Sequence, residues 1–214
     1  MTGIVSQLAR LHLLPPVELY HQGIELTTQG EPAGQVYCIM TGIIKLTHIG
    51  KDGKQRVTTL ASGGELVGAE SVLLGAECLE TAVTLTPCRL ARWSAAEFTS
   101  RLATDGGFAA GICRVAFFQN RRLRSRLLAA SGRTARERFL DLLLNWPEEP
   151  PARAPYRGAP SGLPLSREDL SAILAVSPFQ VSRLVTALEK DGVIRRTKQG
   201  LQICSGRLQK IKFR

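Results

Sequence analysis

The sequence predicts an α+β protein in three successive parts: an all-β N-terminal half, one long helix, and a small basic C-terminal domain with a helix-turn-helix and a hairpin wing. Three observations predict it. Glycines at 23, 30, 34, 42, 50, 53, 63, 64, 68 and 75 punctuate short apolar runs at turn-like spacing, the pattern of a sandwich or barrel. From Phe108 the apolar positions change to a helical period. Between Ser166 and Gly192 two short helical patterns meet at a tight turn.

Residues 16 to about 93 read as short strands, with alternation over 36–40 and further runs at 43–47, 57–60 and 81–92. Lys51-Asp52-Gly53-Lys54 is a hairpin turn, because Asp-Gly tolerates the positive φ that such turns need. Ser94-Ala95-Ala96-Glu97 is a capping box opening a short helix to about Ala103, which Asp105-Gly106-Gly107 interrupts. Apolar positions 108, 112, 115, 116, 123, 127 and 130 then mark about 34 Å of helix, with Gln119 and Arg122 or Arg126 interrupting the stripe. A single helix of this length outruns one small barrel, so part of its face is expected to meet a second copy. Another helix runs from about 135 to 145, followed by a Pro-rich surface loop over 147–164. The expected domains are 1–106, 107–131 and 132–214.

The chain has 214 residues, 44% of them apolar and 21% charged, which is ordinary for a globular protein. No uncharged stretch approaches the roughly 18 residues of a membrane span, and the N-terminus has no clean signal-peptide pattern. Five scattered cysteines without a C-x-x-C pair exclude a disulfide framework and a zinc ribbon. They fit a reducing compartment, so a cytoplasmic protein without a membrane partner is expected. The net charge of +10 is unevenly spread: residues 1–106 hold eight Lys/Arg against ten Asp/Glu, and residues 151–214 hold twelve against four. A basic C-terminal half points to an acidic partner, most economically nucleic acid.

The helix-turn-helix is locally overdetermined. Ser166 caps a first helix whose Leu170, Ile173 and Leu174 form an apolar face, and Glu168 and Asp169 suit the positive end of its dipole. After the Ala175-Val176 turn, Ser177 is an N-cap, Pro178 sits at N1, Gln180 completes a box, and Val176 with Val181 forms a staple. The second helix ends at Lys190-Asp191-Gly192. Its outward positions Pro178, Phe179, Ser182, Arg183 and Thr186 would meet base edges in a major groove. Arg183 suits guanine O6 and N7, while Phe179 would touch a thymine methyl or pack on its own domain. Ser166, Arg167, Ser177 and Gln180 are placed for phosphates. Lys198 lies at the tip of a hairpin wing formed by residues 193–197 and 201–204.

With these motifs in view, almost the whole chain resembles a regulator of the cyclic-AMP receptor and fumarate-nitrate regulator (CRP/FNR) family. Residues 23–26, 30–33, 36–37 and 42–46 are similar to that family's β-roll glycine pattern, and 64–68 to its effector-site turn. Thr134-Ala135-Arg136-Glu137-Arg138 is similar to the start of its DNA domain. The resemblance implies an N-terminal β-roll (double-stranded β-helix, jelly-roll), a dimerisation helix, and a homodimer on a near-palindromic duplex that recruits or blocks RNA polymerase. It also implies an effector pocket around Glu65, Val67, Gly68, Ala69, Glu70, Glu80, Thr81, Arg121 and Arg122.

The chain departs from that pattern where cyclic-nucleotide members hold phosphate with an arginine before a Ser/Thr-Ala pair. Here Glu80 precedes Thr81-Ala82, and Ala69 stands where a ribose-binding glutamate is expected, with Glu70 adjacent. Cyclic AMP is therefore not the expected effector, and no cofactor is expected. Glu80 is instead expected to pair with Arg121 or Arg122 and hold the long helix without ligand. The cysteine pattern does not support an iron–sulfur cluster. His12, His21, Cys38 and Cys78 are read as core or surface rather than haem ligands, and thiol redox sensing is not the expected role of Cys78, Cys88 or Cys113. Pro178 and Phe179 replace residues that read bases in well-known members. Two other classes compete: a cupin-like metalloenzyme, opposed by the lack of H-x-H pairing among His12, His21 and His48, and a ligand-binding adaptor that has lost specific DNA binding.

Overall fold

The computed structural model describes residues 14–146, 163–197 and 200–204. It divides into two compact units, Met1–Arg124 and Ser125–Arg214, with the break inside the long helix. The Pro-rich loop lies almost entirely outside the described residues, as do His12 and Lys198.

The first unit holds β1 (Val17–Tyr20), β2 (Glu25–Thr27), β3 (Gln35–Thr41), β4 (Ile43–Ile49), β5 (Gln55–Ser62), β6 (Leu66–Val67), β7 (Thr81–Thr84) and β8 (Cys88–Ser94). They form two antiparallel four-stranded sheets, ordered β1-β8-β3-β6 and β2-β7-β4-β5. The alternation in β3 separates two cores rather than core from solvent. Tyr37 and Ile39 pack with Ile44, Ala61, Ala82 and Leu90 between the sheets. Val36 and Cys38 pack with Trp93, Phe98 and Phe108 on the other face. A strand covered on both sides cannot show a polar face, which is why 36–39 is buried throughout. Gly42 links β3 to β4 at φ 96°, where an added Cβ would fall 2.6 Å from the Pro87 carbonyl oxygen, so only glycine fits.

Helices cover that second face. α1 (Ala69–Leu74), α2 (Ala95–Thr104) and α3 (Gly106–Gly132) follow in chain order. The short α1 corrects the all-strand reading of 16–93; it lies between Gly68 and Gly75, both in the left-handed region, and has no side-chain cap. The Ser94–Glu97 box opens α2, as expected. The interruption at 105–107 is itself a helix start. The Asp105 carboxylate accepts from the Phe108 amide at 2.9 Å, so α3 begins at Gly106, two residues before the expected Phe108. Phe98, Phe108 and Trp93 then meet edge to face with centroids 5.6–5.8 Å apart, each such pair contributing about 0.5–1.5 kcal/mol beyond area burial.

The second unit contains α4 (Ala135–Leu144), α5 (Arg167–Leu174), α6 (Pro178–Lys190) and the hairpin β9 (Ile194–Thr197) with β10 (Gly200–Ile203). Phe139, Leu140 and Leu143 of α4 join Leu170, Leu174, Val181, Val185, Leu188 and Ile194 among its buried side chains. Leu163 adds a bridge to Leu201 at the hairpin's edge. α5 and α6 are bent 97° from one another, within the range of a helix-turn-helix. Among the described residues no single helix is long and apolar enough to cross a membrane.

Candidate functional site

The two helices of the C-terminal unit are set by caps read directly from their sequence. Ser166 accepts from the Asp169 amide while Asp169 accepts from the Ser166 amide. Ser177 and Gln180 make the same reciprocal pair at the start of α6. Between them Ala175 adopts φ 49°, a left-handed residue that is not glycine, and the Ser171 hydroxyl donates to the Val176 carbonyl at 2.6 Å. Arg138 closes the turn from α4: its Nε and Nη2 donate to the Leu174 carbonyl at 3.1 and 2.7 Å. That carbonyl is one of those a helix end leaves without a partner. The role of Arg138 was missed in the sequence because its acceptor is a main-chain atom 36 residues away.

The wing is tied to α6 as well. Arg196 pairs with Glu189 at 3.2 Å, and its Nη2 donates to the Thr186 hydroxyl at 2.9 Å. Arg136 meets Asp191 at 2.9 Å. Arg183 and Phe179 lie on the solvent side of α6, Phe179 being 72% exposed, so it does not pack on its own domain. Arg183 has no carboxylate partner among the described residues, whereas Arg167 lies 3.9 Å from Glu168. The Ser182 hydroxyl donates to the Pro178 carbonyl at 3.2 Å. The hydroxyls of Ser166 and Ser177 and the amide oxygen of Gln180 serve the caps, which narrows what they offer a phosphate.

In the first unit the expected effector-pocket residues part company. Glu65 is 3% exposed, and its carboxylate accepts from the Ser62 amide at 2.7 Å and from Arg122 at 2.8 Å. Arg122 also reaches the Ser62 hydroxyl at 3.2 Å. The expected pairing of Glu80 with Arg121 or Arg122 is not found among the described residues: Arg122 goes to Glu65 and Arg121 is exposed. Glu80 contributes its carbonyl to the Thr27 hydroxyl at 3.3 Å. The Thr81 hydroxyl accepts from the Gln29 amide. Val67 is buried in β6, Gly68 heads α1 within 2.4 Å (from an added Cβ) of the Gln35 carbonyl, and Glu70 points to solvent.

Gln119 does not interrupt the α3 stripe. Residues 108, 112, 115, 119 and 122 follow one helical face, apolar against the roll and then polar against its β5–β6 turn. Gln119 accepts from the Leu66 amide at 3.1 Å and donates to the Leu66 carbonyl at 3.0 Å. Phe117 and Leu123 stay exposed on α3 at 77% and 48%; the side chains of Arg126 and Ala130 lie outside those described. Burial pushes the Cys38 and Cys88 thiols up to about 12 and about 11, and raises Cys78, which opposes thiolate chemistry at all three. Cys113 is exposed, as is His21.

A β-roll with a long helix, followed by a helix-turn-helix and a hairpin, is the architecture that the resemblance to CRP/FNR transcription regulators implies. The sequence matches the family models for a cyclic nucleotide-binding domain over residues 17–105 and a Crp-like helix-turn-helix domain over 137–207. The chain belongs to the CRP/FNR family, a family of transcription regulators rather than enzymes. It is 24% identical to the nitrogen fixation regulation protein FixK of Azorhizobium caulinodans, over 82% of this chain and 70% of that one. It is 25% identical to the CRP-like protein Clp of Xanthomonas campestris pv. campestris, over 77% and 74%. Its fold is that of FixK2 from Bradyrhizobium japonicum, with TM-score 0.66, 22% identity and 91% and 96% coverage. It also matches the c-di-GMP responsive regulator CLP of Xanthomonas campestris, with TM-score 0.65, 19% identity and 93% and 98% coverage.

Proposed function

We propose that this CRP/FNR regulator is a cytoplasmic homodimer that reads a near-palindromic DNA site and recruits or blocks RNA polymerase, without control by cyclic AMP. The observation that carries this reading is the solvent face of α6, where Arg183 and Phe179 project from a helix capped at its start and braced by Arg138 and Arg196. Arg183 reads guanine, and Ser166, Arg167, Ser177, Pro178, Gln180, Ser182 and Lys198 frame the contact with backbone and groove. The helix of residues 107–131 is the dimer element, supported by the exposure of Phe117 and Leu123.

Independence from cyclic AMP has two supports. A carboxylate at Glu80 would repel a cyclic phosphate next to Thr81, and Arg122 is already neutralised by Glu65. Gel shifts against genomic fragments at several salt concentrations test the whole reading. Discrete fragments bound with steep salt dependence are expected, and cyclic AMP should not change them. Weak, uniform binding to all fragments would instead favour an adaptor that has lost specific DNA recognition.

A further inference from the structure

We infer that Phe179 reads a thymine methyl group, so that each half-site carries a thymine within two base pairs of the guanine contacted by Arg183. The inference rests on the DNA-reading role proposed above and assigns its chemistry. From α4 onward, Phe179 is the single large apolar side chain exposed among the described residues, at 72%. The same unit buries Phe139, Leu163, Leu174 and Leu188 almost completely. Its place is fixed, because the Ser177–Gln180 box locks the first turn of α6 around it.

The stripe it belongs to has little other chemistry to offer. Residues 179, 182, 183 and 186 share one face of α6. The Ser182 hydroxyl donates to the Pro178 carbonyl, and the Thr186 hydroxyl donates to the Ser182 carbonyl and accepts from Arg196. What remains is one phenyl ring and one guanidinium, four residues apart. Four residues advance a helix by about 6 Å, a little under two base steps of about 3.4 Å. The major-groove edge of a base pair presents one apolar group, the thymine C5 methyl, and a phenyl ring matches it by contact without hydrogen bonds. A carboxylate at the same position would accept from cytosine N4 instead.

The experiment begins with site selection from a random duplex pool by the full-length protein. Each thymine near the selected guanine is then replaced by deoxyuridine, which removes a methyl and leaves every hydrogen-bonding edge intact. Wild-type protein should lose about four-fold in affinity per half-site at one such thymine, the worth of one buried carbon. Phe179→Ala should bind thymine and uracil duplexes alike, and Phe179→Glu should shift the selected base toward cytosine. Phe179 is exposed, so neither variant should unfold the domain. An enriched site at which wild type ignores the methyl, or at which Phe179→Ala keeps the same sensitivity, overturns the inference alone. A pool that yields no enriched site overturns the DNA-reading role, and this inference with it.

Discussion

Arg122 on α3 and Arg183 on α6 begin from the same side chain and end in opposite surroundings. Arg122 lies against the β5–β6 turn, where a buried carboxylate and a serine hydroxyl take its guanidinium. Arg183 stands in solvent with no carboxylate partner among the described residues, next to an exposed phenyl ring. The first region satisfies itself: Gln119 closes on Leu66, Thr81 on Gln29, and Glu65 on Arg122. The second fixes its backbone with two caps and an arginine brace, and leaves Arg183 and Phe179 exposed. An ionic group paired and buried within its own fold is committed to stability, whereas an exposed one can be changed at little cost to stability. At the turn that the family resemblance assigns to an effector, Glu65 and Ser62 take Arg122, whereas Arg183 has no carboxylate partner among the described residues.

The largest expected effect breaks the closed region. Arg122→Ala leaves Glu65 buried with only Ser62 to solvate it, and should cost about 3 kcal/mol of stability, toward the low end for a severed buried pair. Glu65→Gln with Arg122→Met should recover most of that loss, because no charge is then stranded. Urea unfolding of the full chain measures both. A loss below about 1 kcal/mol for Arg122→Ala would mean that the turn is solvated, and the contrast with Arg183 would disappear.

Arg183→Ala should do the reverse. Stability should stay within about 0.5 kcal/mol of wild type, as for exposed substitutions generally. Binding to a selected site should weaken by about 1–3 kcal/mol per half-site, with little change on unrelated DNA. Arg183→Lys should not restore it, since an ammonium lacks the planar fork that matches guanine. Equal loss on specific and unrelated duplexes would make Arg183 a phosphate contact instead.

What could be read from the sequence follows the range of each interaction. The helix-turn-helix was legible because Ser177, Pro178, Gln180 and the Val176–Val181 staple act within one turn of the residues they organise. The roll's hairpin at Asp52-Gly53 was legible for the same reason. The Glu65–Arg122 pair spans 57 residues, and Glu65 stands in the turn that the resemblance assigns to an effector rather than to a partner on α3. Nothing local reveals that α3 will bury it, and the family pattern points instead to Glu80, which stands before Thr81. α1 escaped because it is six residues long with no side-chain cap. Gln119 read as a break in an apolar stripe because a hydrogen bond to a strand's main chain leaves no mark on periodicity.

A smaller effect sharpens the open region. Ser177→Ala removes the acceptor of the Gln180 amide and should cost about 1 kcal/mol, the usual worth of an N-cap. It should also weaken specific DNA binding somewhat more than its stability loss accounts for, because the first turn of α6 carries Phe179. Ser94→Ala in the roll removes an equivalent cap and should cost a similar amount of stability without affecting DNA binding. The two variants together ask whether a cap matters to function only where the helix it starts faces a ligand.

The smallest effect is the acid limb, and it tests what the two regions share. Hydrogen bonds from the Ser94 hydroxyl and amide hold the Glu97 carboxyl below its ordinary value. The Thr134 amide and hydroxyl do the same to Glu137. A group depressed in the folded state contributes stability that is complete above the ordinary carboxylate value near 4.5 and is lost as pH falls through the depressed one. Asp52, held at about 2 by Arg56 and the Lys54 amide, follows the same sign over a lower window, between about pH 4 and 2. All three are fully exposed, so solvent and salt keep each contribution small. Glu97→Gln and Glu137→Gln should each flatten the fall in urea midpoint below pH 4.5 by a similar small amount, and Asp52→Asn should flatten it only below pH 4. A marked inequality between the two glutamate variants would mean that the roll and the DNA-binding unit differ in how their helices start, and not only in which arginine they neutralise.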